Sequence, residues 1–192
     1  MKQNLRRGIA FLLCLALCFS LTINVFASNE LGISYTATLS QSTVNASDED
    51  QTVDLTIGTS APVTLDSIEV IVSDASGKLV VGNPSGYPDG GTASYNDKAN
   101  KLSWMNLGDD NIEGVTTLAV FPITIPANTP ADEYVISVTG IKLSKDWGTT
   151  WEDGGSATTT LTVKDNTPAA EGYTVAVSAA NAKINKIGRA SC

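Results

Sequence analysis

The chain of 192 residues contains no histidine. Ser–His and Cys–His nucleophile systems are therefore excluded, as is zinc held by imidazole. Cysteine is nearly as scarce: Cys14 and Cys18 lie near the start and Cys192 is the last residue. The region between them has no disulfide to lean on and depends on its core alone. Positive charge is the third shortage. Residues 28–165 carry 19 Asp/Glu against 6 Lys and no Arg, a net charge of −13. With so few basic groups to neutralise phosphates, nucleic acid is excluded as a partner, and anionic membrane surfaces are disfavoured on the same ground. The same region also lacks the 3.6-residue apolar spacing of an amphipathic helix.

What is present begins with a targeting segment. Lys2, Arg6 and Arg7 form a basic start, residues 8–23 are an apolar run, and Val25 and Ala27 stand at the −3 and −1 positions of a cleavage site. The reading is a signal peptide over residues 1–27, cut between Ala27 and Ser28, with no membrane association in the mature chain. A retained transmembrane anchor is the alternative; the short run followed by a clear cleavage site argues against it. The rest of a twin-arginine motif is missing, and leucines precede Cys14 and Cys18 where a lipoprotein signal needs a small residue.

The strongest pattern in the domain is residues 116–140, TTLAVFPITIPANTPADEYVISVTG. Two apolar strands flank a loop bounded by Pro126 and Pro130, and they read as a hairpin. Pro122 inside the first strand predicts a bulge or an edge position, because proline donates no ladder hydrogen bond. Further strands are expected at residues 34–40, 52–58, 66–73, 78–82, 92–95, 101–105 and 157–164, each with period-two alternation or a short apolar run. Tyr35, Ala37 and Leu39 point inward, as do Val53, Leu55 and Ile57, and Ile68, Val70 and Val72. About nine strands at turn-punctuated spacing, with no helices, predict an all-β fold: a two-sheet β-sandwich or jelly roll over residues 28–165 without disulfides.

Residues 166–171 read as a linker. Residues 172–178, GYTVAVS, then echo residues 34–40, SYTATLS, so residues 172–186 are expected to begin a truncated second repeat. A terminal strand paired with the first domain is the alternative. Residues 187–192, IGRASC, resemble a common sequencing-library adapter read in frame, which makes them an expected assembly scar and the natural C-terminus absent.

The succession TVDLTIG, DSIEVIVS, KLVV, a Gly/Pro loop, KLSWMN, TTLAVFPITIP, EYVISV and TTTLTVKD resembles the cohesin modules of bacterial cellulosomes and carbohydrate-binding modules of the same jelly-roll fold. It spans residues 34–164. Where many cohesins carry Asp-Pro after their third strand, this chain has Ser73-Asp74-Ala75. The resemblance implies a secreted, non-catalytic module that anchors dockerin-containing proteins in extracellular polysaccharide degradation. The partner-binding face would comprise residues 66–73, 92–95, 101–105 and 133–139. Glu69, Ile71, Val135 and Ser137 would face outward there, with Ile71 and Val135 as a small exposed apolar patch. Alternatively, the loop containing GYPDGG folds over this sheet and buries them.

A second class of function is direct polysaccharide binding. Trp147 and Trp151 lie four apart in DWGTTWEDGG, so an extended segment would project both from one face, with Tyr87 in another loop as a third stacking candidate. The competing reading has the tryptophans capping the core; mid-strand Trp104 is read as core. A structural or adhesin repeat of a cell-surface protein, attached through an absent C-terminal part, is a third class. Acidic loops at residues 48–50, at 109–113 and around Asp146, Glu152 and Asp153 lack calcium-loop spacing and read as solvated charge, so neither metal nor cofactor is expected. No catalytic constellation appears, and the expectation is that the chain is not an enzyme.

Overall fold

The computed structural model describes residues 33–165, and among these every regular element is a strand. Eleven strands follow in order: β1 (Tyr35–Leu39), β2 (Thr43–Asn45), β3 (Gln51–Leu65), β4 (Ser67–Asp74), β5 (Val80–Val81), β6 (Gly91–Asn96), β7 (Lys101–Asn106), β8 (Ile112–Ile125), β9 (Asp132–Ser144), β10 (Glu152–Asp153) and β11 (Ala157–Lys164). Each of the nine expected strands has a counterpart. The short β2 and β10 had no legible pattern, being too brief to show alternation. The expected signal segment, linker, second repeat and tail scar lie outside the described residues.

Two sheets form the sandwich. One is four-stranded, in the order β1-β3-β8-β5; the other is seven-stranded, in the order β2-β11-β9-β4-β7-β6, with β10 paired to β9. Pairing is antiparallel throughout, except that β2 runs parallel to β11. The inward sets are those expected from alternation: Leu55, Ile57 and Ile68 are fully buried, as are Val70, Val72 and Ile136. Burying the inner faces of both sheets together is what removes this apolar surface from water. Phe121 meets Tyr95 edge to face across the core, with ring centroids 6.2 Å apart.

The apparent hairpin at residues 116–140 is corrected by this topology. β8 belongs to the four-stranded sheet and β9 to the seven-stranded one, so residues 126–131 carry the chain from one layer to the other. Alternation in each strand specifies a buried face but not a partner, which is why the two arrangements look alike in sequence.

For Pro122 the edge side is what is observed, and the bulge lies elsewhere in the strand. Pro122 pairs with Asp54 in unbroken register, and the register shift lies earlier, between Ile57 and Gly58 of β3, where Leu118 is the extra residue. Leu118 and its neighbour Ala119 are both fully buried, and that is where the inward parity changes. Proline is tolerated because its carbonyl accepts from the Gly82 N–H at 2.8 Å. A strand residue's nitrogen and carbonyl face the same side, so the missing donor faces the short β5 edge and costs β3 nothing.

Candidate functional site

The outer face of the seven-stranded sheet is built from the residues that alternate with the core set. Glu69, Ile71 and Ser73 on β4 stand beside Lys101, Ser103 and Met105 on β7, and beside Val135, Ser137 and Thr139 on β9. Their register is direct: Glu69 pairs with Ser103, Ile71 with Lys101 and with Thr139, and Ser73 with Ser137. All four residues expected on a docking face therefore sit on one surface. Their surroundings differ.

Glu69 is engaged. Lys101 Nζ lies 2.7 Å from its Oε1, and the Ser103 hydroxyl is 3.4 Å from the same oxygen. Both partners are partly covered, and the pair links β4 to β7 across the face. Ile71 is half-buried. A β-bulge in β9 opposite Val70 sets Gly140 beneath it, and a Cβ built there would stand 3.2 Å from Ile71 Cδ1. Val135 is exposed at 45%. The register puts it four residues beyond Thr139, the partner of Ile71, hence about 13 Å along the strand. Ile71 and Val135 share the face without touching, so the expected compact patch is corrected to two separate apolar points. The loop with GYPDGG does not cover them: Ser85 bridges to Val120 of β8, which ties that loop to the other sheet.

The tryptophans occupy different settings. Trp104 is core, 2% exposed, and its indole nitrogen is buried without a hydrogen-bond partner. Trp147 is 46% exposed. The segment between β9 and β10 turns instead of running extended: Trp147 adopts φ +53°, and the Trp151 ring packs over Gly148, 3.1 Å from where a Cβ would sit. The extended arrangement that would present both rings on one face is not adopted. Tyr87 lies elsewhere, lining a cleft of about 730 Å³ with Tyr95, Pro84 and Asp97 between the β5 and β6 edges of the two sheets.

The turn around Trp147 is tightly specified. Asp146 Oδ1 accepts from the Thr150 N–H at 2.7 Å and from the Ser144 hydroxyl at 2.8 Å. Those bonds, led by that from the Thr150 backbone, hold the Asp146 carboxyl below its ordinary value. Asp66, a residue that sequence reasoning passed over, is wholly buried and accepts the Trp147 N–H at 2.7 Å. The only sequence signal for it was an aspartate directly before an apolar strand, which also describes a solvated turn. Among the described residues, no group of three or more acidic side chains gathers as a metal site.

No family model matches the chain, and no curated protein does. Solved structures do. A cohesin module from a Clostridium perfringens family 33 glycoside hydrolase aligns at TM-score 0.53 and 11% identity, over 75% of this chain and 99% of that one. The third ScaB cohesin of R. flavefaciens, solved with a group 1 dockerin, aligns at TM-score 0.46 and 16% identity, over 65% of this chain and 89% of that one. A non-cellulosomal cohesin from the archaeon Archaeoglobus fulgidus aligns at TM-score 0.39 and 16% identity, over 65% and 80%. At such identities the likeness speaks for architecture alone: the chain has a cohesin-like fold.

Proposed function

We propose that this chain is a secreted, non-catalytic docking module whose partner carries a dockerin, bound on the outer face of the seven-stranded sheet. The observation that carries this reading is the open, ordered character of that face. Lys101 and Glu69 are pinned across neighbouring strands, Val135 is exposed, and no described loop lies over Ser73, Ser137 or Thr139. A sheet surface with a polar pair and a few apolar points suits recognition of another protein. The fold likeness to a cohesin module supports a dockerin as the kind of partner that the sequence resemblance implies. The apolar targeting segment at residues 8–23 supports an extracellular setting, where dockerin-bearing enzymes act on polysaccharide.

The test is a binding panel. The full chain is presented to purified dockerin modules, with calcium and with a chelator. At least one calcium-loaded dockerin is expected to bind, and Val135→Asp together with Glu69→Arg is expected to weaken it by about 10-fold or more, as for removal of interface contacts. Calcium-independent capture of every module, or capture of none, would sink the proposal.

A further inference from the structure

Five large apolar side chains are exposed among the described residues: Val80, Met105, Leu107, Val135 and Trp147. Met105, Leu107 and Trp147 belong to one end of the seven-stranded sheet. The register there runs Met105 to Ser67 to Ser144, across β7, β4 and β9. Ser67 and Ser144 alternate with buried Ile68 and Leu143, so they point to the outer face, yet they are 0% and 2% exposed. Residues 146–148 account for the cover of Ser144. The N–H groups of Asp146 and Gly148 donate to the Ser144 hydroxyl oxygen at 3.2 and 2.9 Å, so the segment folds back over this end of the face. The exposed Trp147 thus lies on the segment at that end of the sheet, the end to which the register also brings exposed Met105.

Asp66 joins the pieces. Its side chain accepts the Trp147 N–H, and its backbone carbonyl accepts the Asn106 N–H at 2.7 Å, one residue before Leu107. One wholly buried residue therefore holds the backbone at Trp147 and at Asn106, the neighbour of Leu107. Trp147 is also held at φ +53°, where a bulky aromatic is a genuine outlier and Gly or Asn is the usual occupant. A strained backbone, fastened by the buried Asp66 side chain, leaves an indole 46% exposed.

We infer that Trp147, Met105 and Leu107 form a protein-docking anchor, and that its occupant is a cationic segment of a partner presenting an apolar side chain. The mixture argues for protein over sugar: one tryptophan with methionine and leucine makes an interface core, whereas a glycan platform wants paired aromatic rings. The charge argues for a basic occupant. Asp89, Asp109 and Asp110 are exposed around Leu107, whose N–H donates to the Gly90 carbonyl beside Asp89. Lys145, the lysine of the Trp147 turn, stands 4.0 Å from Glu152. Such a rim favours approach of Lys and Arg. This inference builds on the docking reading of the outer face, and it moves the centre of binding from Val135 to the Trp147 end.

The test uses no dockerin. A random peptide display library is selected against the full chain, and the enriched peptides are titrated against Trp147→Gly, Leu107→Ser and Val80→Ser. The peptides are expected to join an aromatic or aliphatic residue to Lys or Arg. They should bind Trp147→Gly about 10-fold more weakly or worse, Leu107→Ser about 5-fold more weakly, and Val80→Ser, an exposed position on the other sheet, as well as the parent. Glycine suits the positive φ, so the thermal midpoint of Trp147→Gly is expected to hold or rise. Peptides that are acidic, or that bind Trp147→Gly and Leu107→Ser as well as the parent, would overturn the anchor. So would a Trp147→Gly variant that melts earlier while binding unchanged, since the indole would then serve packing. Basic peptides behaving as expected while no dockerin binds would leave the anchor standing and remove the dockerin reading.

Discussion

Asp74 shows how one side chain can organise a turn. Its carboxylate accepts the N–H groups of Ser76, Lys78 and Leu79 at 2.8 to 3.0 Å and the Ser76 hydroxyl at 2.6 Å. Burial alone would raise this carboxyl; the hydrogen bonds, led by that from the Ser76 hydroxyl, outweigh it and hold the group below its ordinary value of 3.8. The folded state therefore favours the ionised form. Its contribution to stability is complete above the unfolded value and is lost as pH falls through the lower folded one. Thermal melts from pH 7 down to about pH 2.5 should show this loss, because carboxylates begin to protonate near pH 4. Asp74→Asn should melt earlier at pH 7 and show a shallower decline with acid. Equal slopes for parent and variant would refute the assignment. The aspartate itself was visible in the sequence as a departure from an Asp-Pro pattern. Its four-bond role was not, because the bonds depend on how the following turn closes.

Among the strands, β9 illustrates what alternation conveys and where it stops. Tyr134, Ile136 and Val138 are buried as period two requires, but Ile141 and Leu143 continue the core from the opposite parity. The switch is the β-bulge opposite Val70, where Gly140 takes φ +56°. An L side chain there is strained by about 1–2 kcal/mol, and Gly140→Ala would also press on Ile71 Cδ1 at 3.2 Å. Urea unfolding is expected to place Gly140→Ala about 1–2 kcal/mol below the parent; an unchanged midpoint would mean that the bulge relaxes. The glycine was legible as the end of an apolar run. That it resets the outward face was not, since a bulge is defined by the partner strand. The same limit explains Pro122, whose missing donor is harmless only because β5 stops beside it, and residues 126–131, which cross between sheets where the local pattern resembles a hairpin turn.

At the scale of the molecule, stability rests on one core shared by two sheets, with no disulfide among the described residues. Phe121 stands at its centre, fully buried and in edge-to-face contact with Tyr95, whose hydroxyl donates to the Val81 carbonyl at 3.2 Å and bridges the layers. Phe121→Ala should cost about 3–5 kcal/mol, the range for emptying an aromatic site in a packed core. The check is chemical denaturation followed by circular dichroism. A loss under about 1 kcal/mol would imply that the layers collapse into the void. The surface offers the opposite case. Docking, whether at Val135 or at the Trp147 end, would draw on the acidity of the whole region, so association with a basic partner is expected to slow as salt is raised.

The outward position of Glu69, Ile71, Val135 and Ser137 was readable from alternation, because in a strand each residue's face follows from its neighbours. The all-β class, the inward sets and the core place of Trp104 were readable for the same local reason. The lack of histidine throughout, and of cysteine and arginine in residues 28–165, bounded the chemistry through composition alone. Tertiary structure alone decided which strands are neighbours. That choice separated Ile71 from Val135 along the register, sent β8 and β9 into different sheets, and brought Met105, Leu107 and Trp147 to one end through Asp66. The physical reason is the same throughout: period two is a property of one strand, whereas register, bulges and buried side-chain-to-backbone bonds are properties of pairs distant in sequence.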